Sequence, residues 1–287
     1  MPSLIDFRRR IRSVKNTQQI TKAMKMVSAA KLRRAQEAVL AARPFANMLG
    51  EMLGNVARAA AGSDAAKELP LLQQRETIKK AVLVVISADR GLAGAFNSNV
   101  NRGAQKFMHD QEGVTFEVES IGKKGRDYFR RRGFTISGDH QNFSRKPVYA
   151  DVASVAAKVS ERYASGEIDA VYVAYNEFKS VMTQRLKVEQ VLPVPLTETA
   201  DTTEYIYEQP AEVLLASLLP RYVEVELWRS VLESTASEHA ARMTAMDAAS
   251  RNASEVIERV TLQMNRVRQA SITREIIEVV SGASALK

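Results

Sequence analysis

The chain of 287 residues contains no cysteine, which excludes disulfides, thiolate metal sites and thiol nucleophiles outright. Aromatic residues are scarce, 6% against a hydrophobic content of 45%, so Ala, Val, Leu and Met carry most of the apolar surface. That balance suits slender helices that approach one another closely, while still supplying a packed core. Long apolar runs are missing too. The longest, residues 81–86, falls far short of the ~20 residues a helix needs to span a bilayer, so direct membrane insertion is not expected. The opening residues lack the apolar stretch of a secretory signal. Acidic residues are nearly absent from the first 50, where eleven Lys and Arg face only Asp6 and Glu37, in a chain of net charge +8. One end is therefore a basic rod, attractive to nucleic acid, anionic lipid or an acidic protein collar, and charge alone does not choose among them.

Helix breakers are missing where the apolar pattern is strongest. Between Pro2 and Pro44 there is neither proline nor glycine, and apolar residues recur at helical spacing through Leu4, Phe7, Ile11, Val14, Ile20, Met24 and Val27, then Val39, Leu49, Leu53 and Val56. One helix over residues 3–58 is predicted, with Pro44 as the point where it would kink. From Arg221 to the end the only breaker is Gly282. A helix of that extent would measure roughly 100 Å, and it needs a partner for stability. A heptad register through Ala236, Met243, Met246, Ser250, Ala253, Ile257, Val260, Met264 and Val267 supplies the seam. The expected partner is the N-terminal helix, so residues 1–60 and 205–287 form an antiparallel coiled coil. Between them, after a loop near residues 61–75, β-branched runs at 81–87, 114–121, 170–175 and 186–192 alternate with helical stretches at 95–110, 123–132 and 151–165. Residues 77–200 thus read as a Rossmann-like α/β domain, and the fold class is α/β plus a long antiparallel helical hairpin.

The motifs carry little chemistry. The segment SADRGLAGAFN, residues 87–97, places Gly91 and Gly94 at a strand-to-helix turn, but it matches neither the three-glycine dinucleotide fingerprint nor a P-loop. A tight turn with close helix–sheet packing accounts for it. His109, His140 and His239 have no metal-ligand spacing. Carboxylate pairs such as Glu224 with Glu226, and Glu275 with Glu278, lie on predicted helices with basic neighbours and read as solvated charges. The cluster Lys123, Lys124, Arg126, Arg130, Arg131 and Arg132 has no interleaved aromatics beyond Tyr128 and Phe129 and belongs to no recognisable nucleic-acid module. No catalytic, cofactor or metal residues are expected.

Three segments in chain order resemble the gamma subunit of the F-type ATP synthase, in its bacterial form. They are IRSVKNTQQITKAMKMVSAAK at 11–31, SADRGLAGAFN at 87–97, and EHAARMTAMDAASRNA at 238–253 with RQASITREIIEVVSGA at 268–283. The likeness covers nearly the whole chain and is weakest over residues 134–203. Ala93 stands where the family often has Cys, a small-for-small exchange that keeps the packing role. The cysteine-bearing insertion of chloroplast relatives is missing, so thiol regulation is not implied.

The resemblance implies a non-catalytic central rotor stalk that couples ion-driven rotation, hydrogen-ion transport, to ATP synthesis or hydrolysis elsewhere. The implied partners are the alpha and beta subunits, the epsilon subunit and the membrane ring of c subunits, with no nucleic acid. The implied location is peripheral, on the cytoplasmic side of a bacterial inner membrane. By the same resemblance Met24, Lys25, Arg242, Arg268, Gln269 and Thr273 are expected to meet alpha and beta. Ile276, Ile277, Val279 and Val280 form an apical bearing, and Tyr205, Tyr207 and Glu208 touch the rotor ring. Two rival readings remain at this point: an α/β nucleotide-binding enzyme with helical extensions, and a basic coiled-coil protein that binds nucleic acid.

Overall fold

A computed structural model of the chain describes residues 3–60, 63, 65, 68–143, 147–196 and 207–285. In chain order the elements are α1 (Leu4–Ala60), β1 (Lys80–Ile86), α2 (Phe96–Asp110), β2 (Thr115–Ile121), α3 (Lys123–Arg130), β3 (Thr135–His140), α4 (Tyr149–Ala164), β4 (Ala170–Phe178), β5 (Gln184–Leu192) and α5 (Ala211–Ala285). The two long helices each contribute to two compact units. One comprises the residues up to Ser28 with those from Met243 onward, the other Ala29–Arg242.

In the first unit, α1 opens with a reciprocal cap. The Asp6 backbone N–H donates to Ser3 Oγ at 3.2 Å, while the Ser3 backbone N–H and hydroxyl both reach Asp6 Oδ2. The helices then pair antiparallel. Gln18 Nε2 donates to Ser254 Oγ at 2.6 Å, Thr21 and Ser250 share a hydroxyl bond of 2.7 Å, and Lys25 Nζ meets Asp247 Oδ1 at 2.5 Å. Partner numbers fall as α1 numbers rise, which sets the direction. Met246, Ala253 and Val260 are buried, and Ser250 and Ile257 half-buried, so the heptad register is realised in the burial pattern. Small Thr, Ser and Ala side chains at this seam allow close approach, and their hydroxyls satisfy each other.

The second unit is built on a five-stranded sheet of order β3-β2-β1-β4-β5, parallel except for the antiparallel edge strand β5. β1 reads KAVLVVI because both its faces are covered. Val82, Val84 and Ile86 point to one side, where Val152, Val155, Val159 and Tyr163 of α4 pack together with Leu53 and Val56 of α1 and Leu215, Leu219 and Val223 of α5. Ala81, Leu83 and Val85 point to the other, against Val100, Ala104 and Met108 of α2 and Phe129 of α3. Each buried Val or Leu contributes roughly 1.5–3 kcal/mol relative to exposure.

The predicted α/β class and helical hairpin are found, with three differences in detail. β3 was not anticipated, because TISGDH carries Gly138 and Asp139 and has little strand propensity. It pairs with β2 through a register shift at Val118/Glu119. The last helix starts at Ala211, ten residues before the expected Arg221, and runs through Pro220. Burial of Leu215, Leu219 and Val223 on one face outweighs the backbone donor that proline lacks. α3 stops at Arg130 rather than 132.

Candidate functional site

In the first unit, α5 extends past the described start of α1. By the register of the Gln18–Ser254 and Lys25–Asp247 pairs, the start of α1 stands opposite α5 at about Arg268. Beyond that point every described side chain through Ser281 is exposed except Ser271, which is half-buried. This stretch nonetheless carries Ile272, Ile276, Ile277, Val279 and Val280, the valine at 279 being 72% exposed. Exposed apolar side chains on a helix gain stability by entering an apolar sleeve.

The second unit contains a clasp that fastens both long helices to the carboxyl end of β4. Glu233 of α5, almost fully buried, accepts Arg43 Nε at 2.8 Å and a terminal Arg43 nitrogen at 3.0 Å. It also accepts the Phe178 backbone N–H at 2.9 Å, while the Arg43 guanidinium donates to the Phe178 carbonyl at 2.8 Å. Next along α5, Ser237 Oγ donates to the Asn176 carbonyl at 2.8 Å. These bonds tie α1, β4 and α5 into one joint.

The glycine turn after β1 packs on the same stretch of α5. Ala88, Ala93 and Phe96 cluster with Ala241, and the Arg242 guanidinium donates to the Gly91 carbonyl at 3.3 Å. The turn is bound internally: Asn97 Oδ1 accepts the Ala88 N–H, the Ala88 carbonyl accepts the Lys124 N–H, and the Asp89 carboxylate accepts the N–H groups of Lys123 and Asn142. That is the tight-turn reading rather than a phosphate cradle. Leu92 and Gly94 both adopt positive φ, 63° and 55°, to make it.

The more buried charged groups elsewhere in this unit are also engaged. Glu119 is buried against β3. Burial alone would raise its pKa, but hydrogen bonds from His140, Ser137 and Lys158 hold it down at about 2. An open cavity of about 520 Å³ between α1, α4 and α5 has Phe45 and Trp228 in its wall, and its charged lining residues Arg221 and Arg229 already face Glu224 and Glu226. Buried His239 lies near Arg242 and Lys31; burial first, then those two cations, lowers its pKa to about 4. Among the described residues no group of three or more His, Asp or Glu is placed to hold a metal ion.

The expected site residues are distributed as follows. Met24 and Lys25 lie half-buried on the paired seam, with Lys25 committed to Asp247. Arg242 has only 12% of its side chain exposed and pairs with Glu238 at 2.6 Å, so much of its guanidinium is used within the chain. Arg268, Gln269 and Thr273 are exposed on the unpaired end of α5, beside the four apolar tip residues. Tyr207 packs half-buried against the core and Glu208 is exposed, while Tyr205 lies outside the described residues. Sequence reasoning missed the Arg43–Glu233 joint. The one available signal was a lone Glu in the small and apolar run VLESTAS.

A chain whose first and last helices pair with each other, with a Rossmann-like sheet inserted between them in sequence, is of the helical-stalk class rather than the dinucleotide-enzyme class. The family model described as ATP synthase matches residues 3–286. The chain is 58% identical to the ATP synthase gamma chain of Solibacter usitatus over 285 residues, 99% of each, and 49% identical to that of Pelotomaculum thermopropionicum over the full length of both. It therefore belongs to the ATP synthase gamma-chain family, a subunit of that enzyme and not itself catalytic. Among solved structures it resembles a chain of the central stalk and c-ring of Tetrahymena thermophila mitochondrial ATP synthase, with a TM-score of 0.61, 27% identity, and coverage of 80% of this chain and 99% of that one. A chain of the Euglena gracilis mitochondrial enzyme shares the fold with a TM-score of 0.68 at 18% identity, over 99% and 94% of the two chains.

Proposed function

We infer that the chain is the central rotor stalk of a bacterial F-type ATP synthase, coupling ion-driven rotation of a membrane ring to ATP synthesis or hydrolysis at alpha and beta subunits. The observation that carries this reading is the pairing of α1 with α5 through small polar side chains, continued by an exposed apolar end of α5, in a chain of this family. A smooth, narrow helical pair turns without deep energy minima. The exposed residues Arg268, Gln269 and Thr273 serve as polar contacts to alpha and beta, together with Met24, Lys25 and the remaining face of Arg242. Ile276, Ile277, Val279 and Val280 form the apical bearing.

An asymmetric shaft biases three otherwise equivalent sites because its contacts with each differ. By linkage, nucleotide occupancy then biases shaft angle in return. Tyr205, Tyr207 and Glu208 meet the rotor ring, with the epsilon subunit alongside. The chain sits peripherally on the cytoplasmic face of the inner membrane. No described helix is long and apolar enough to cross a membrane, which fits that setting.

The test is ATP hydrolysis by purified alpha and beta subunits with and without this chain, beside the chain alone. An inert chain that assembles with them and raises steady hydrolysis supports the stalk. Hydrolysis by the chain alone, or failure to assemble, overturns it.

A further inference from the structure

We propose that the outer face of α2 and α3 is a docking surface for an anionic lipid bilayer. The two helices lie side by side: Asn101 Nδ2 donates to the Lys124 carbonyl at 3.4 Å and the Tyr128 hydroxyl donates to Gln105 Oε1 at 2.6 Å. Both cover the sheet face opposite to the one that packs on α4, so their outer side faces away from the core. That side, with the turn that follows α3, carries Arg102, Lys106, Lys124, Arg130, Arg131 and Arg132, all exposed and, among the described residues, with no carboxylate within ion-pair distance. Arg126 bridges Asp127 at 2.9 Å and Asp139 at 2.7 Å, and one cation against two carboxylates leaves a single negative charge, which offsets only one of these six. Asp110 and Glu112 at the end of α2 add two more carboxylates, while Glu117 and Glu119 of β2 are taken by Lys80 and Arg162 and by His140 and Lys158, which leaves a positive excess on this side.

The chemistry of the face selects among polyanions. None of the exposed large apolar side chains belongs to α2 or α3, so the aromatic or aliphatic anchors that dominate protein interfaces are missing. Of the two half-buried aromatic rings on these helices, Phe107 packs edge-on against Phe116 and Tyr172, and Tyr128 lies beneath the Arg132 guanidinium at 3.6 Å, so neither offers a free face to stack a base. A sheet of anionic headgroups needs neither anchor nor stack. It rewards only the density of basic side chains, roughly five-fold in partition for each. The choice of lipid over other polyanions rests on the peripheral membrane setting proposed above.

The experiment is flotation of the full chain with phosphatidylcholine vesicles that do or do not contain phosphatidylglycerol, at about 0.1 M salt. Wild type is expected to partition onto the anionic vesicles only. The variant Lys124→Glu/Arg130→Glu/Arg131→Glu should lose at least about tenfold. The matched variant Arg8→Glu/Arg9→Glu/Arg12→Glu, on the basic start of α1, should lose less than about threefold. Circular dichroism checks folding, and a Gln set at the same three positions replaces the Glu set if that unfolds. No binding by wild type, or an equal loss in the α1 variant, overturns the proposal. So does a patch variant that keeps vesicle binding but no longer supports ATP hydrolysis with alpha and beta, which would make the face a protein contact. Wild type that binds vesicles but fails to activate alpha and beta sinks the stalk reading instead, and the two failures are thereby separated.

Discussion

Gly122 shows how a single residue can decide the junction between β2 and α3. Its φ is +102°, and a Cβ there would lie 2.1 Å from the Ser87 carbonyl oxygen. Backbone cannot retreat as a flexible side chain can, so Gly122→Ala is expected to destabilise the fold by more than about 3 kcal/mol, read as a lower urea midpoint. Gly103 makes the contrast. Its added Cβ would meet the end of Leu186, which can rotate aside, and a smaller loss is expected. His239 is a second residue with a measurable consequence. Its pKa is depressed from 6.5 to about 4, so between those values the unfolded chain binds more protons than the folded one. Stability is therefore full above pH 6.5 and falls as pH drops toward 4, by about 2 kcal/mol at pH 5. Urea unfolding at pH 7.5 and pH 5, compared between wild type and His239→Gln, should show that difference only in wild type.

At the scale of elements, the Arg43–Glu233–Phe178 joint holds three of them together. Removing Arg43 leaves a carboxylate that is nearly fully buried with only a backbone N–H as partner. Arg43→Ala is expected to cost about 2–4 kcal/mol, less than a wholly buried pair because Arg43 itself is one-third exposed. Glu233→Ala should cost a similar amount, and the double variant much less than the sum, since both singles break one interaction. Additive losses in that cycle would show that the two side chains do not act as a unit. Elements also show where sequence reading stopped. Strong helical periodicity made α1 and α5 legible, and continuous β-branched runs made β1 and β4 legible. β3 was invisible because its place depends on hydrogen bonds to β2 and on Gly138, where any Cβ would strike the Glu119 carboxylate. Pro220 misled in the opposite direction, because local propensity argued for a stop that burial on the sheet overrode.

For the molecule as a working part, the decisive feature is the end of α5 that α1 does not accompany. Replacing Ile276 and Val280 together by Ala removes apolar area from that end without touching the paired seam. The expected outcome is normal assembly with alpha and beta but weaker coupling, seen as a lower ratio of ions pumped to ATP hydrolysed. Loss of all hydrolysis in an intact complex would count against a bearing role. Arg242 illustrates the limit of transferring roles by likeness. The i,i+4 pair with Glu238 is readable from the sequence, but its bond to the Gly91 carbonyl is not. With its guanidinium engaged inside the chain and only 12% of its side chain exposed, Arg242 holds the glycine turn against α5.

What the sequence alone determined was whatever depends on local periodicity and composition: two long helices, a heptad seam, an α/β middle and the absence of thiols. Those properties are written in spacing and composition, and 3.6- and 2-residue periods survive any tertiary arrangement. The tertiary structure decided the strand order, the pairing of Glu119 with His140 and Lys158, and the clasp of Arg43 on Glu233 across 190 positions. Such contacts join groups far apart in the chain, and a charged side chain looks the same in sequence whether it faces water or a buried partner. Only folding desolvates one of them and makes its partner necessary.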